Sequence, residues 1–176
     1  MIISEEIQIA SVHNDRLFAV DITVLDDEEE HPVVMFIHGF KGFKDWGPFN
    51  VMARALAEAG FACVKCNMSH NGTTLTQPDG ITDFEAFAKN TLSICLDDVA
   101  IVIDHLLYAE KTAAVRRCDA TRLFLLGHSL GGSIAILKAC EDSRVKAVAA
   151  WAPCTDFFTR WAVEDLYEWK DKGVTY

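Results

Sequence analysis

Basic residues are scarce. Lys and Arg together number 16 against 26 Asp and Glu, a formal net charge of −10, and a chain so charged is repelled by both nucleic acid and anionic membrane. No apolar run reaches membrane-spanning length. The opening residues, Met1-Ile2-Ile3-Ser4-Glu5-Glu6, carry neither the basic segment nor the apolar core of a secretory leader, so a cytoplasmic protein is expected. Internal repeats and low-complexity tracts are also missing. Metal-ligand spacing is absent among the His, Cys, Asp and Glu positions, and no glycine-rich phosphate loop follows the first strand, so neither metal, nucleotide nor other cofactor is expected.

What is present fits one domain. The 176 residues are 51% hydrophobic and 24% charged, which excludes disorder and fibrous architectures, and residues 1–176 suffice for a single sizeable core. Six cysteines, at 63, 66, 95, 118, 140 and 154, form no framework. Cys63 and Cys66 have C-x-x-C spacing but lie in the strand-like run Phe61–Cys66, where residues three apart point to opposite faces. Buried free thiols in a reducing compartment account for the cysteines, Cys95 and Cys140 on apolar helix positions included.

Along the chain, 6–12 and 16–25 alternate apolar with polar residues and predict two strands joined at His13-Asn14-Asp15 as an antiparallel hairpin. The acidic run 26–30 reads as a solvated loop. Pro32–Ile37 is a continuous apolar run, the pattern of a strand buried on both faces. It empties into a glycine-rich loop, His38-Gly39-Phe40-Lys41-Gly42-Phe43. Pro48 then suits a helix start and Gly60 a stop, and the strand Phe61–Cys66 follows. Strand, helix, strand implies a parallel sheet. Residues 67–83 have turn chemistry without period; Asn71-Gly72-Thr73 matches a glycosylation pattern, set aside in a cytoplasmic chain. A long helix is expected from Phe84 through Leu106, then a turn at 118–121, a strand into Ser129, a helix to about Cys140 and an apolar strand over 145–151. Phe158, Trp161, Ala162, Leu166 and Trp169 give a last helix, about 157–172, one apolar face.

The most informative stretch is Leu123-Phe124-Leu125-Leu126-Gly127-His128-Ser129-Leu130-Gly131-Gly132. Gly127 and Gly131 flank Ser129 by two residues, where a strand reverses into a helix and a Cβ would collide across the turn. Such a turn holds its serine in a strained backbone with the hydroxyl outward. Together with the His-Gly loop after the third strand, this order of elements resembles the α/β-hydrolase superfamily, in particular its dienelactone-hydrolase-like and small esterase branches. The resemblance covers essentially the whole chain. It implies a three-layer α/β/α fold with about six strands, mostly parallel apart from the N-terminal hairpin. It also implies that Ser129 is the nucleophile, that the amides of Phe40 and Leu130 form an oxyanion hole, and that the substrate is a small acyl ester or related carbonyl compound, hydrolysed through an acyl-serine.

A serine needs a base, and the family supplies an acid and a histidine late in the chain. Here the histidines are 13, 31, 38, 70, 105 and 128, and all precede Ser129. His128 adjoins the serine in a turn that aims its ring elsewhere. His38 is expected to brace the oxyanion loop, with Gly39, Gly127 and Gly131 supporting the site. His105 is expected to be structural, and His70, Phe43 and Trp46 are expected along the pocket wall. Asp156 is either a triad acid or a helix cap. The resemblance further implies a chain cut short of the family's last strands, with 157–176 opening a cap-like or edge-covering segment. The sixth strand would then be an exposed edge, and a homodimer through that edge or the aromatic helix is expected. Two functions stay open: a serine esterase, or a catalytically inactive module serving binding or assembly.

Overall fold

A computed structural model describes residues 1–156 and 163–172. Its centre is a six-stranded sheet built from β1 (Ile2–Ala10), β2 (Leu17–Leu25), β3 (His31–Ile37), β4 (Ala62–Cys66), β5 (Cys118–His128) and β6 (Val145–Trp151), in the order β1-β2-β4-β3-β5-β6. The first two strands form the expected hairpin, Ala10 opposite Leu17, and its turn places Asn14 and Asp15 at positive φ, which these short polar residues tolerate. β2 pairs antiparallel with β4; β4, β3, β5 and β6 run parallel. This is the three-layer α/β arrangement expected from the sequence.

The helices divide between the two faces. α1 (Phe49–Glu58) covers one through Phe49, Met52 and Leu56, which pack on Val34, Phe36 and Leu126. It stops where expected, because Gly60, at φ +86, lets its own N–H reach Ala57 O and that of Phe61 reach Leu56 O. On the other face, α3 (Leu92–Tyr108) and α4 (Leu130–Glu141) bury Val99, Val102, Ile103, Leu106 and Ile134 against Val33, Met35, Ile37, Val64, Leu123 and Leu125. Successive residues of β3 thus serve opposite layers, which is why that run is apolar throughout.

Three sequence expectations change. The long helix from Phe84 is two helices, α2 (Phe84–Ala88) and α3, because Asp83 and Thr91 each cap a fresh N-terminus, accepting from Ala86 N at 2.9 Å and Ile94 N at 3.2 Å. Residues 118–121 are strand, not turn: β5 begins at Cys118, and a register shift between Pro32 and Val33 absorbs the irregular step before Leu123. Cys140 is exposed, on the outer face of α4, while the other five cysteines are buried. The last helix is described as α5 (Val163–Lys172); the expectation placed on Phe158, Trp161 and Ala162, and the side chains of Leu166 and Trp169, lie outside the described residues. Among the described residues no helix is long and apolar enough to cross a membrane.

Candidate functional site

Sheet order locates the site. From β3 the chain steps to β4 on one side and later to β5 on the other, so the loops leaving β3 and β5 diverge at a switch point, where open α/β sheets leave a crevice. Ser129 stands there, immediately after β5 and before α4. Its backbone has φ 55° and ψ −123°, a conformation that carries strain for any residue with a Cβ. Hydrogen bonds from Ser129 N to Trp151 O, 2.8 Å, and from Gly132 N to Ser129 O, 2.9 Å, hold it. The glycines are steric necessities: a Cβ on Gly127 would fall inside the Gly131 carbonyl, and one on Gly131 would fall on the carbonyl oxygens of Ile37 and His38. Relieving this strain, Ser129→Gly should raise stability by about 1–2 kcal/mol in urea unfolding while Ser129→Ala should not. An unchanged midpoint for the glycine variant would show a relaxed turn.

The loop leaving β3 lies against this turn. A Cβ on Gly39 would stand 3.0 Å from Ser129 Cβ and 3.1 Å from His128 O, so only a bare Cα lets the two loops meet this closely. His38, 5% exposed, donates from Nδ1 to Gly39 O at 2.9 Å and accepts at Nε2 from Asn71 Nδ2 at 3.3 Å. Because a carbonyl can only accept, the proton sits on Nδ1. Burial pushes the imidazole down to about 4, against the smaller opposing effect of the Gly39 carbonyl. His38 is therefore neutral and bonded at both nitrogens. Asn71 also donates to Gly42 O at 3.3 Å, and its own Oδ1 is fixed by Thr73 N and Oγ1.

Beside Leu130 lies a small cleft of about 20 Å³, lined by Phe40, Met68, Asn71, Phe87 and Ile134. The Phe40 and Phe87 rings pack at 5.5 Å. At the α4 N-terminus, Leu130 N–H belongs to the first-turn donors that have no carbonyl one turn back, and the helix field there favours negative charge.

His70, Phe43 and Trp46 do not line this cleft. His70 meets Ser69 Oγ through Nδ1 at 2.7 Å and faces His13 edge-on at 6.2 Å. Trp46 packs on Phe49 at 5.7 Å, on the α1 side. The His128 ring also sits on that side, 6.3 Å from Phe49. Asp156 is exposed, and His105 is on α3, where burial lowers its pKa. Among the described residues, no imidazole is hydrogen-bonded to Ser129 Oγ.

Residues that sequence reasoning passed over hold the loops. Asn67 accepts from Lys44 N at 2.7 Å, and Asp98, fully buried on α3, accepts from Ser11 Oγ and Ser69 N at 2.7 Å each. The available signal was polarity in apolar surroundings: Asp98 sits in the middle of a helix's buried face. Burial pushes the Cys63, Cys95 and Cys118 thiols up to about 12, which keeps them protonated and unreactive. Among the described residues, no group of three or more His, Cys, Asp or Glu is placed to hold a metal ion.

Comparison with known proteins adds the following. The family model Hydrolase_4, described as serine aminopeptidase S33, matches residues 28–172. An Escherichia coli protein described as an uncharacterized 31.7 kDa protein of the traX-finO intergenic region is 30% identical over 136 residues, which is 75% of this chain and 41% of that protein. The solved structure of DcsB, in complex with its substrate analogue, superposes with a TM-score of 0.74 at 17% identity over 97% of this chain and 51% of its own. A Klebsiella pneumoniae protein named as a candidate dienelactone hydrolase superposes with a TM-score of 0.66 at 22% identity, covering 87% of this chain and 60% of that one. This chain thus spans about half the length of the proteins it matches.

Proposed function

The chain belongs to the α/β hydrolases of the serine aminopeptidase S33 family, and on that premise we propose that it carries the nucleophile and oxyanion donors of a serine hydrolase acting on a small acyl ester or related carbonyl compound. The observation that supports this best is the strained Ser129 backbone, set against Gly39 at the switch point of the sheet. In the proposed reaction Ser129 Oγ attacks the substrate carbonyl carbon and its proton passes to a base. The carbonyl oxygen gains the negative charge and receives hydrogen bonds from the Leu130 and Phe40 amides, with the α4 N-terminus adding favourable field. Collapse expels the alcohol with a proton, leaving an acyl-serine, and water then releases the acid. The Phe40 and Phe87 wall suits an apolar acyl group.

Proton transfer sets the test. His38 is bonded at both nitrogens, so the proposal assigns the base role to none of the described histidines. Added imidazole should therefore stimulate p-nitrophenyl acetate hydrolysis beyond its own background, and Ser129→Ala should abolish the increment. Absence of any Ser129-dependent increment would overturn the proposal. It would favour the second reading, an inactive module used for binding or assembly, which the sequestered His38 supports.

The proposal extends to assembly. Among the described residues β6 is an edge of the sheet and exposes Ala147, Ala149 and Trp151, a surface suited to pairing of two copies. Sedimentation at micromolar concentration should show a dimer, and a strictly monomeric species would contradict this part.

A further inference from the structure

Two lysines are buried on the far side of the loop that carries Gly39 and Phe40. Lys65, on β4, is 1% exposed and Lys44, in the loop, 4%. Lys65 Nζ donates to Asp45 Oδ1 at 2.7 Å, Asn50 Oδ1 at 2.5 Å, Lys44 O at 3.1 Å and Asp21 Oδ2 at 3.3 Å. Lys44 Nζ donates to Asp45 Oδ2 at 2.5 Å and Asp21 Oδ2 at 2.8 Å, and meets Glu6 Oε2 at 3.2 Å. Asp21 and Lys65 are directly opposed in the β2–β4 ladder, so half of the network is fixed by the sheet itself. The other half, Lys44 and Asp45, belongs to the loop, and Asn50 belongs to the first turn of α1.

Burying two ammonium groups is expensive, and apolar residues of similar volume commonly hold a fold as well or better. What a charged network supplies that an apolar cluster does not is direction: each donor fixes a particular oxygen. Here three directed bonds, Lys44 to Asp21 and Lys65 to Lys44 O and Asp45, join the sheet to the segment 44–45, four residues beyond Phe40, while Lys65 to Asn50 ties the same ammonium to α1. Asn67 pins the Lys44 amide and Asn71 the Gly42 carbonyl, so the chain leading into the segment is held as well.

We infer that the Asp21–Lys65–Asp45–Lys44 network is a positioning device for the oxyanion loop, fixing the distance of the Phe40 amide from Ser129. The inference rests on the reading of Phe40 as an oxyanion donor. Lys44, Asp45, Lys65 and Asp21 touch no reacting atom and are positioning residues. Without the network the loop keeps its chain path but loses its register against the Ser129 turn (the elbow between β5 and α4), and small errors in donor position cost much of an oxyanion hole's effect.

The test pairs hydrogen exchange with chemistry in the full chain. Asp45→Asn, which removes the carboxylate charge and leaves one acceptor oxygen where the two lysines used two, should speed exchange of the amides over 39–46, Lys44 N–H above all, by at least 10-fold, leaving β3 and β5 amides unchanged. Fluorophosphonate labelling of Ser129, run with added imidazole, should slow by a similar factor. Asp45→Glu, which keeps the charge, should lie closer to the parent in both readouts, and Asn50→Ala, a milder cut on an exposed residue, should change both in the same direction. Unchanged exchange over 39–46 in both Asp45→Asn and Asn50→Ala, or acceleration shared equally by β3 and β5, overturns the inference. So does a loosened loop with an unchanged labelling rate. If the parent chain is not labelled at all, the hydrolase reading fails and the positioning of an oxyanion donor fails with it; the exchange pattern separates that case from failure of the network to order the loop.

Discussion

Gly131→Ala is expected to destabilise the chain by about 4 kcal/mol or more, lowering Tm by roughly 10 °C in thermal unfolding. Position 131 lies in the first turn of α4, where alanine is intrinsically favoured over glycine by about 1 kcal/mol, so without tertiary contact the substitution would stabilise. The sign is reversed by what the methyl meets. Its place is taken by the carbonyl oxygens of Ile37 and His38, backbone atoms at the end of β3 that no rotamer change can move. Either the β3–β5 ladder opens at its last pair, Ile37 with Gly127, or the elbow shifts. Gly132→Ala is the control: its Cβ would lie 3.1 Å from Gly127 O and 3.2 Å from Pro153 Cβ, so its cost should be several-fold smaller. Equal costs would mean that the approach of α4 to β3 is not what the glycine permits.

A pH profile should show the second large effect. His38 has its pKa depressed to about 4 by burial, against an ordinary value of 6.5. Between those values the unfolded chain binds a proton that the folded chain refuses, so stability rises with pH across this window. The contribution is fully present above pH 6.5 and is lost as pH falls toward 4, by about 3 kcal/mol in all. Urea unfolding at intervals from pH 7 to 4 measures it, with His38→Gln as reference, since glutamine does not titrate. The difference between the two profiles should follow a single proton. Parallel profiles would show that His38 titrates normally and that its bonds to Gly39 and Asn71 do not hold it neutral.

Much of this molecule can be read from its residues, and where the reading stops has physical reasons. Gly-x-Ser-x-Gly after an apolar strand locates the elbow because the steric demand is local and extreme. β3 is legible as doubly buried because all its residues face one of two helix layers. The break between α2 and α3 is less visible, since the apolar period runs on through Leu92 while Thr91 restarts the helix by bonding Ile94 N. The start of β5 at Cys118 depends on a register shift set by pairing with β3, which one strand's sequence does not contain. The loop bracing is hidden for another reason. Lys65 interrupts an apolar strand and Asn71 looks like part of a surface turn, yet their partners, Asp21 and His38, are 44 and 33 residues away. Local patterns do not report such pairs, although a lysine inside a buried strand was a usable sign.

The central claim is that Ser129 is a nucleophile presented by a strained turn beside its oxyanion donors. Incubation with a fluorophosphonate in imidazole buffer, which supplies the base, followed by peptide mass mapping tests it most directly. One phosphonyl group per chain, on Ser129 and absent from Ser129→Ala, is the expected result; an unlabelled chain, or a label on any other residue, would contradict it.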